Sequence, residues 1–176
     1  GGVFASLPVA RSANVVRQAE WEVTATVTRD QDAWHIIRLE PGNTTGSLYG
    51  AAVDVGTTTV VVALVDLRTS EIVDAASSYN QQIIRCDDVG SRISYADTPD
   101  RLQELRRLIV ENTVNRLLRL LCERHGLAGD DIAHLAVAGN TVMTHLFCGL
   151  DPTSLGGVPF TPVSNYPGPY RARHLD

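Results

Sequence analysis

Residues 52–60 read Ala52-Val53-Asp54-Val55-Gly56-Thr57-Thr58-Thr59-Val60, a hydroxyl-rich turn between two apolar runs with an acid just before it. Glycine lets a backbone come close to a ligand, and successive N–H groups in such a turn can form a concave anion site. Phosphate is the natural guest of that arrangement. Asp54, two residues before Gly56, stands where a carboxylate could hold Mg²⁺, through water because Mg²⁺ gives up its hydration shell reluctantly. The plain alternative is a hairpin turn whose threonines only solvate the loop, and the residue chemistry alone leaves both readings open.

Asn140 and Thr141 form a second group, at the junction of an apolar run and a short helical one. A helix N-terminus favours anions, and Asn is equally at home there as a cap. His145 is a lone histidine on a short apolar helix, which reads as a packed residue rather than a catalyst. Asp87 and Asp88 read by default as a solvated turn. The three cysteines, Cys86, Cys122 and Cys148, are far apart, without CxxC spacing or a histidine at ligand distance. They read as buried or free thiols, as expected of a protein in a reducing cytoplasm.

These residues need a scaffold. Trp21, Val23, Ala25 and Val27 alternate with polar neighbours, the period of a half-buried strand, and a second strand is expected over Ala33 to Glu40. The turn Arg29-Asp30-Gln31-Asp32 makes the pair a hairpin, while residues 1–14 read as a loose lead-in. The break Pro41 to Gly46 sets a boundary, so residues 1–48 form a linker and small β-hairpin region and residues 49–176 a second unit. Tyr49 to Val55, Val60 to Asp66 and Ile72 to Tyr79 predict a three-stranded meander. The first two are nearly all apolar, which predicts strands covered on both faces. The stretch 83–96 has no firm period. Thr98-Pro99-Asp100 then opens one long amphipathic helix that stops at His125-Gly126, with Leu102, Leu105, Ile109, Leu117 and Leu121 at helical spacing. Ile132 to Ala138 is a fourth strand and Thr141 to Cys148 a short helix. The tail from Asp151 holds most of the prolines and is expected to be extended or irregular.

Composition narrows the class of function. With 44% hydrophobic and 20% charged residues over 176 positions, the chain is an ordinary globular protein large enough to bury a core. A net charge of -5 without a Lys/Arg run argues against nucleic acid or an anionic membrane as partner. No stretch of apolar residues is long enough to span a bilayer, and no basic-plus-apolar leader precedes the first strand. The chain is expected to be cytoplasmic.

Strand, Asp-x-Gly-Thr-Thr turn, strand, third strand, long helix and fourth strand together resemble the first subdomain of the acetate and sugar kinase, heat-shock chaperone and actin superfamily. The resemblance implies an α/β fold: an actin-like (ribonuclease H-like) half-domain, with a mixed sheet and a long amphipathic helix. Residues 52–59, Asp87-Asp88-Val89 with Ser91-Arg92-Ile93, and Val137 to Phe147 followed by Gly149-Leu150-Asp151-Pro152 narrow it further. Over roughly residues 21–162 the chain is similar to the reductive activators of corrinoid proteins. Cys86 and Gly90 depart from that family's pattern, standing where a small residue and an apolar one are usual.

The resemblance implies ATP and Mg²⁺ as cofactors and a corrinoid protein as partner, whose inactive cob(II)alamin is returned to the cob(I) state. Gly56, Thr57, Thr58 and Thr59 would contact the β- and γ-phosphates, and Asp54 would orient hydrated Mg²⁺. Asn140 and Thr141 would position the attacking water. By the same analogy Asp87 and Asp88 would meet the partner or Mg²⁺. An iron–sulfur domain is expected ahead of this region and the rest of the ATPase behind it, so the 176 residues offer one wall of a nucleotide cleft. Two copies closing that cleft as a homodimer is a further arrangement. A sugar or small-acid kinase would use the same phosphate turn but needs a base for a substrate hydroxyl. A non-catalytic partner-binding module is the reading from a different class.

Overall fold

The computed structural model describes residues 3–5, 9–10, 14–30 and 33–168. Positions 31–32 of the first hairpin turn, residues 1–2, 6–8 and 11–13 of the lead-in and residues 169–176 of the tail lie outside them. Two mixed sheets organise the chain. The smaller contains β1 (Val3–Ala5), β2 (Val23–Asp30) and β3 (Ala33–Pro41) in the order β1-β3-β2, with β1 parallel and β2 antiparallel to β3. A short helix, α1 (Asn14–Gln18), lies between β1 and β2 in the chain.

Within the lead-in, residues 3–5 form a strand because they find a parallel partner about thirty positions downstream. Trp21 falls just outside β2, with a positive φ of 72° and 74% exposure. Arg38 ties this sheet to the next one, donating from Nη1 to the Asp130 carbonyl at 2.9 Å and pairing with Asp131 at 3.1 Å.

The larger sheet has the order β6-β5-β4-β7, formed by β4 (Tyr49–Val55), β5 (Thr59–Asp66), β6 (Glu71–Tyr79) and β7 (Ile132–Gly139). The meander β4-β5-β6 is antiparallel, and β7 joins β4 in parallel. A parallel return needs a long crossover, supplied here by α2 (Val89–Tyr95), α3 (Pro99–Ile109) and α4 (Asn115–His125). Helix α5 (Thr141–Cys148) follows β7 directly.

Burial follows the pleat. Val53 pairs with Val62 and Val55 with Val60; these four are 0–2% exposed and pack with Leu105, Ile109, Val114, Leu117 and Leu121 of the helices. Burying side chains of this size stabilises by roughly 1.5–3 kcal/mol each. The opposite face carries Ala52, Asp54 and Val61 and stays exposed. The expectation that both faces are covered is corrected for the described residues, which leave this face exposed, and the near-continuous apolar run is reconciled by small alanines at Ala52, Ala63, Ala136 and Ala138.

The long helix departs from one continuous α-helix. Between α3 and α4 the residues Val110–Val114 form a π-turn. Its cause is Thr113, wholly buried, whose hydroxyl donates to the Leu108 carbonyl at 2.7 Å and accepts the Gln81 N–H at 3.2 Å. A side chain inserted into the helical ladder displaces one backbone bond and widens the turn. At the far end Gly126 adopts φ 64°, a left-handed stop open to glycine at little cost, and Leu127 N–H closes onto the Cys122 carbonyl at 2.9 Å.

The aperiodic stretch 83–96 resolves into the end of a 3₁₀ turn (Gln81–Ile84) and α2. Asp88 caps α2, accepting the Ser91 N–H at 2.8 Å while Ser91 Oγ accepts the Asp88 N–H at 3.2 Å. Beyond a 3₁₀ turn at Thr153–Leu155 the described tail is irregular, as expected.

Candidate nucleotide-binding turn

Residues 56–58 link β4 to β5, and the turn is closed by Gly56 N–H donating to the Thr59 carbonyl at 3.0 Å. A Cβ on Gly56 would stand 2.4 Å from that carbonyl oxygen, so only glycine fits. Among the described residues no acceptor takes the backbone N–H of Thr57 or Thr58. The turn thus holds donors available to an anion. Asp54, one position before the end of β4, is exposed, and its carboxylate has no described hydrogen-bond or ion-pair partner.

The second group arrives beside the first. In the β4–β7 ladder Asp54 pairs with Ala138 and Val55 with Gly139, which delivers Asn140 to the same end of the sheet as the turn. Asn140 Oδ1 accepts the Met143 N–H at 2.9 Å, capping α5, and its Nδ2 donates to Thr57 Oγ1 at 3.3 Å. Asn140 is thus a helix cap through its side-chain carbonyl, while its amide reaches the turn. Thr141 is the exposed first residue of α5, and its carbonyl accepts from His145 Nδ1 at 2.7 Å.

His145 is buried, as expected of a packed residue. Its Nε2 accepts the Val163 N–H at 3.1 Å, so the neighbours specify a neutral ring with its proton on Nδ1. It pins the proline-rich tail to α5. Asp88 is a helix cap, and its hydrogen bonds from Ser91 hold its carboxyl below the usual range. Asp87 is exposed. Burial pushes the thiols of Cys86, Cys122 and Cys148 up, which disfavours thiolate. No group of three metal-ligating side chains occurs among the described residues.

Sequence reasoning gave no role to Asn80, Gln82 or Arg92, although Arg92 stands in one of the family motifs; all three are at 0% exposure. Asn80 donates from Nδ2 to the Gly56 carbonyl at 3.0 Å, and its backbone N–H bonds the Thr58 carbonyl at 2.8 Å. Arg92 donates to Gln82 Oε1 at 2.9 Å and Met143 Sδ at 3.3 Å, while its Nη2 has no described partner. Burial pushes this guanidinium down from its usual range. The polar run Asn80-Gln81-Gln82 directly after a strand was a signal, but its burial was not, since these residue types are mostly exposed.

A mixed sheet of order 3-2-1-4, with a hydroxyl-rich turn between its first two strands and a long crossover helix, defines the first half-domain of an actin-like fold. Residues 49–176 match the RACo middle region, and the chain belongs to that family. It is 37% identical over 114 residues to the corrinoid activation enzyme RamQ of Eubacterium limosum, covering 64% of this chain and 19% of RamQ. A solved reductive activator for a corrinoid, iron-sulfur protein superposes with a TM-score of 0.86 at 34% identity, covering 98% of this chain and 28% of that one. The chain thus spans less than a third of the length of either relative. No helix among the described residues is long and apolar enough to cross a membrane.

Proposed function

We propose that this chain forms the first phosphate-binding wall of an ATP-dependent reductive activator, a protein that returns inactive cob(II)alamin in a partner corrinoid protein to the cob(I) state. The observation that carries the reading is the 3.3 Å contact from Asn140 to Thr57, which brings two motifs 83 residues apart to one place. Family membership and the names of the relatives supply the corrinoid partner; the chemistry of the turn supplies the nucleotide.

The residues fit such a ligand. Thr57 and Thr58 offer backbone N–H groups free of described acceptors, and Gly56 keeps side-chain bulk out of the turn. Asp54 is an exposed carboxylate without a described cation beside it. It would hold Mg²⁺ through water, and the turn would hold the β- and γ-phosphates. Bound ATP supplies the free energy of phosphoanhydride cleavage. The side chains contribute positioning and charge compensation, the main work a protein does in phosphoryl transfer. Asn140, with its carbonyl committed to the cap, keeps its amide for Thr57 and for orienting a water molecule, beside Thr141 at the positive end of α5.

In the full-length protein, Asp54→Ala is expected to abolish most ATP hydrolysis while leaving the circular dichroism spectrum unchanged. Hydrolysis at the wild-type rate in a folded Asp54→Ala variant would remove the phosphate-wall assignment.

A further inference from the structure

We propose that Asn80 is a positioning residue for the phosphate turn, held in register by a dehydrated relay that runs back to Arg92 on α2. The proposal rests on the reading of residues 56–59 as a phosphate turn and assigns a residue outside that turn the task of shaping it.

Asn80 grips the turn at two points. Its side-chain amide donates to the Gly56 carbonyl at 3.0 Å, and its backbone N–H donates to the Thr58 carbonyl at 2.8 Å. With both carbonyls occupied from the β6 side, the 56–57 and 58–59 peptide planes are fixed, and the 57–58 plane is bracketed between them. The 56–57 plane carries the Thr57 N–H and the bracketed 57–58 plane carries the Thr58 N–H, the two groups that lack described acceptors. A peptide whose C=O is tied inward presents its N–H the other way, because the planar trans amide sets the two antiparallel. Holding the Gly56 carbonyl therefore orients the Thr57 donor directly, and fixing the planes on both sides of the 57–58 peptide limits the swing of the Thr58 donor, before any anion arrives, which lowers the ordering cost of binding.

An amide can flip end for end, and the relay prevents it. Asn80 Oδ1 accepts the Gln82 N–H at 3.1 Å, so Nδ2 must face the Gly56 carbonyl and Met143 Sδ, the latter at 3.8 Å. Gln82 is fixed in turn: its Nε2 donates to the Leu105 carbonyl at 2.9 Å and its Oε1 accepts from Arg92 at 2.9 Å. Arg92 completes the run through the Cys86 carbonyl at 3.3 Å and Met143 Sδ at 3.3 Å. Asn80, Gln82, Arg92 and Met143 are all at 0% exposure. In such a medium a reversed amide would face donor to donor, an arrangement with a high desolvation cost. Met143 also donates its N–H to the Asn140 cap. The two halves of the site, turn and α5, thus share one interior support.

The test is nucleotide calorimetry on the full-length protein and two variants that keep a capping oxygen at position 80. Asn80→Ser retains a cap for the 3₁₀ turn but cannot reach the Gly56 carbonyl; Asn80→Asp keeps the shape and loses the donor. Both are expected to bind Mg·ATP about tenfold more weakly, the effect of misaligning one or two phosphate donors. AMP, which lacks the β- and γ-phosphates, should bind each variant as it binds wild type. A general loosening of the core would weaken both nucleotides together and overturn the proposal, as would unchanged ATP affinity or the loss of cooperative unfolding in both variants. Wild-type protein that binds no ATP at all would instead remove the phosphate-turn reading on which the proposal stands.

Discussion

On one face of β5, Val60, Val62 and Leu64 are at most 1% exposed beneath the crossover helices; on the other face of the same strand Val61 keeps 38% exposure. The neighbouring strand repeats the division, with Val53 and Val55 buried and Asp54 between them in the open. The period of two in a strand makes this possible: successive residues belong to different environments although they touch along the backbone. Stability and, under the proposed phosphate-wall reading, chemistry would thus be carried by alternate residues of one segment. The turn is where the two meet, because residues 56–58 continue both faces.

The largest expected effect separates the faces within β5. Leu64→Ala removes a side chain at 1% exposure and should destabilise by about 2–5 kcal/mol, whereas Val61→Ala on the open face should lie well below that. Urea unfolding of both variants reads the contrast as a difference in midpoint at constant slope. Equal losses would mean that the second face is covered as tightly as the first.

Gly56→Ala, at the point where the faces join, comes next. The new Cβ would stand 2.4 Å from the Thr59 carbonyl oxygen, a backbone atom that cannot step aside without opening the turn. A cost of roughly 1–3 kcal/mol follows, the range of overpacking a fitted site. Because the strain falls on the turn itself, amide exchange at Thr57 to Thr59 should rise more than exchange in β6. Uniform acceleration across the sheet would count against a local defect.

How much of this was legible without coordinates depends on the range of the interaction. The apolar runs of β4 and β5, the turn between them, and the start and stop of the 99–125 helix were all readable, since each is written within about ten residues. The π-turn was not, because Thr113 is placed by Gln81 from 32 positions away. Strand β1 was hidden for the same reason, its partner residues being 34–36. Helix α2 lacks an apolar period and begins at a cap whose third residue is Ser91 rather than a long acid or amide, which weakens the usual signature. In the site, Gly56 to Thr59 and Asn140 stood out by type and spacing. Asn80 did not, because a buried asparagine and a solvated one look alike in a sequence.

The smallest expected effect on stability belongs to Asp54, and it completes the contrast between the faces. Asp54 is exposed, with no described hydrogen bond or ion pair to lose, so Asp54→Ala removes no contact on which the core depends. Its unfolding free energy should stay within about 0.5 kcal/mol of wild type, as for surface changes away from caps and networks. The sign is set by charge. At a net charge of -5, removal of one carboxylate relieves self-repulsion, so the small shift should favour the variant and shrink as salt screens the field. Thermal unfolding of wild type and variant at low and at physiological ionic strength measures both quantities. A clear destabilisation would show that Asp54 carries structure, and the loss of hydrolysis expected of the same substitution in the full-length protein could then no longer be assigned to the metal.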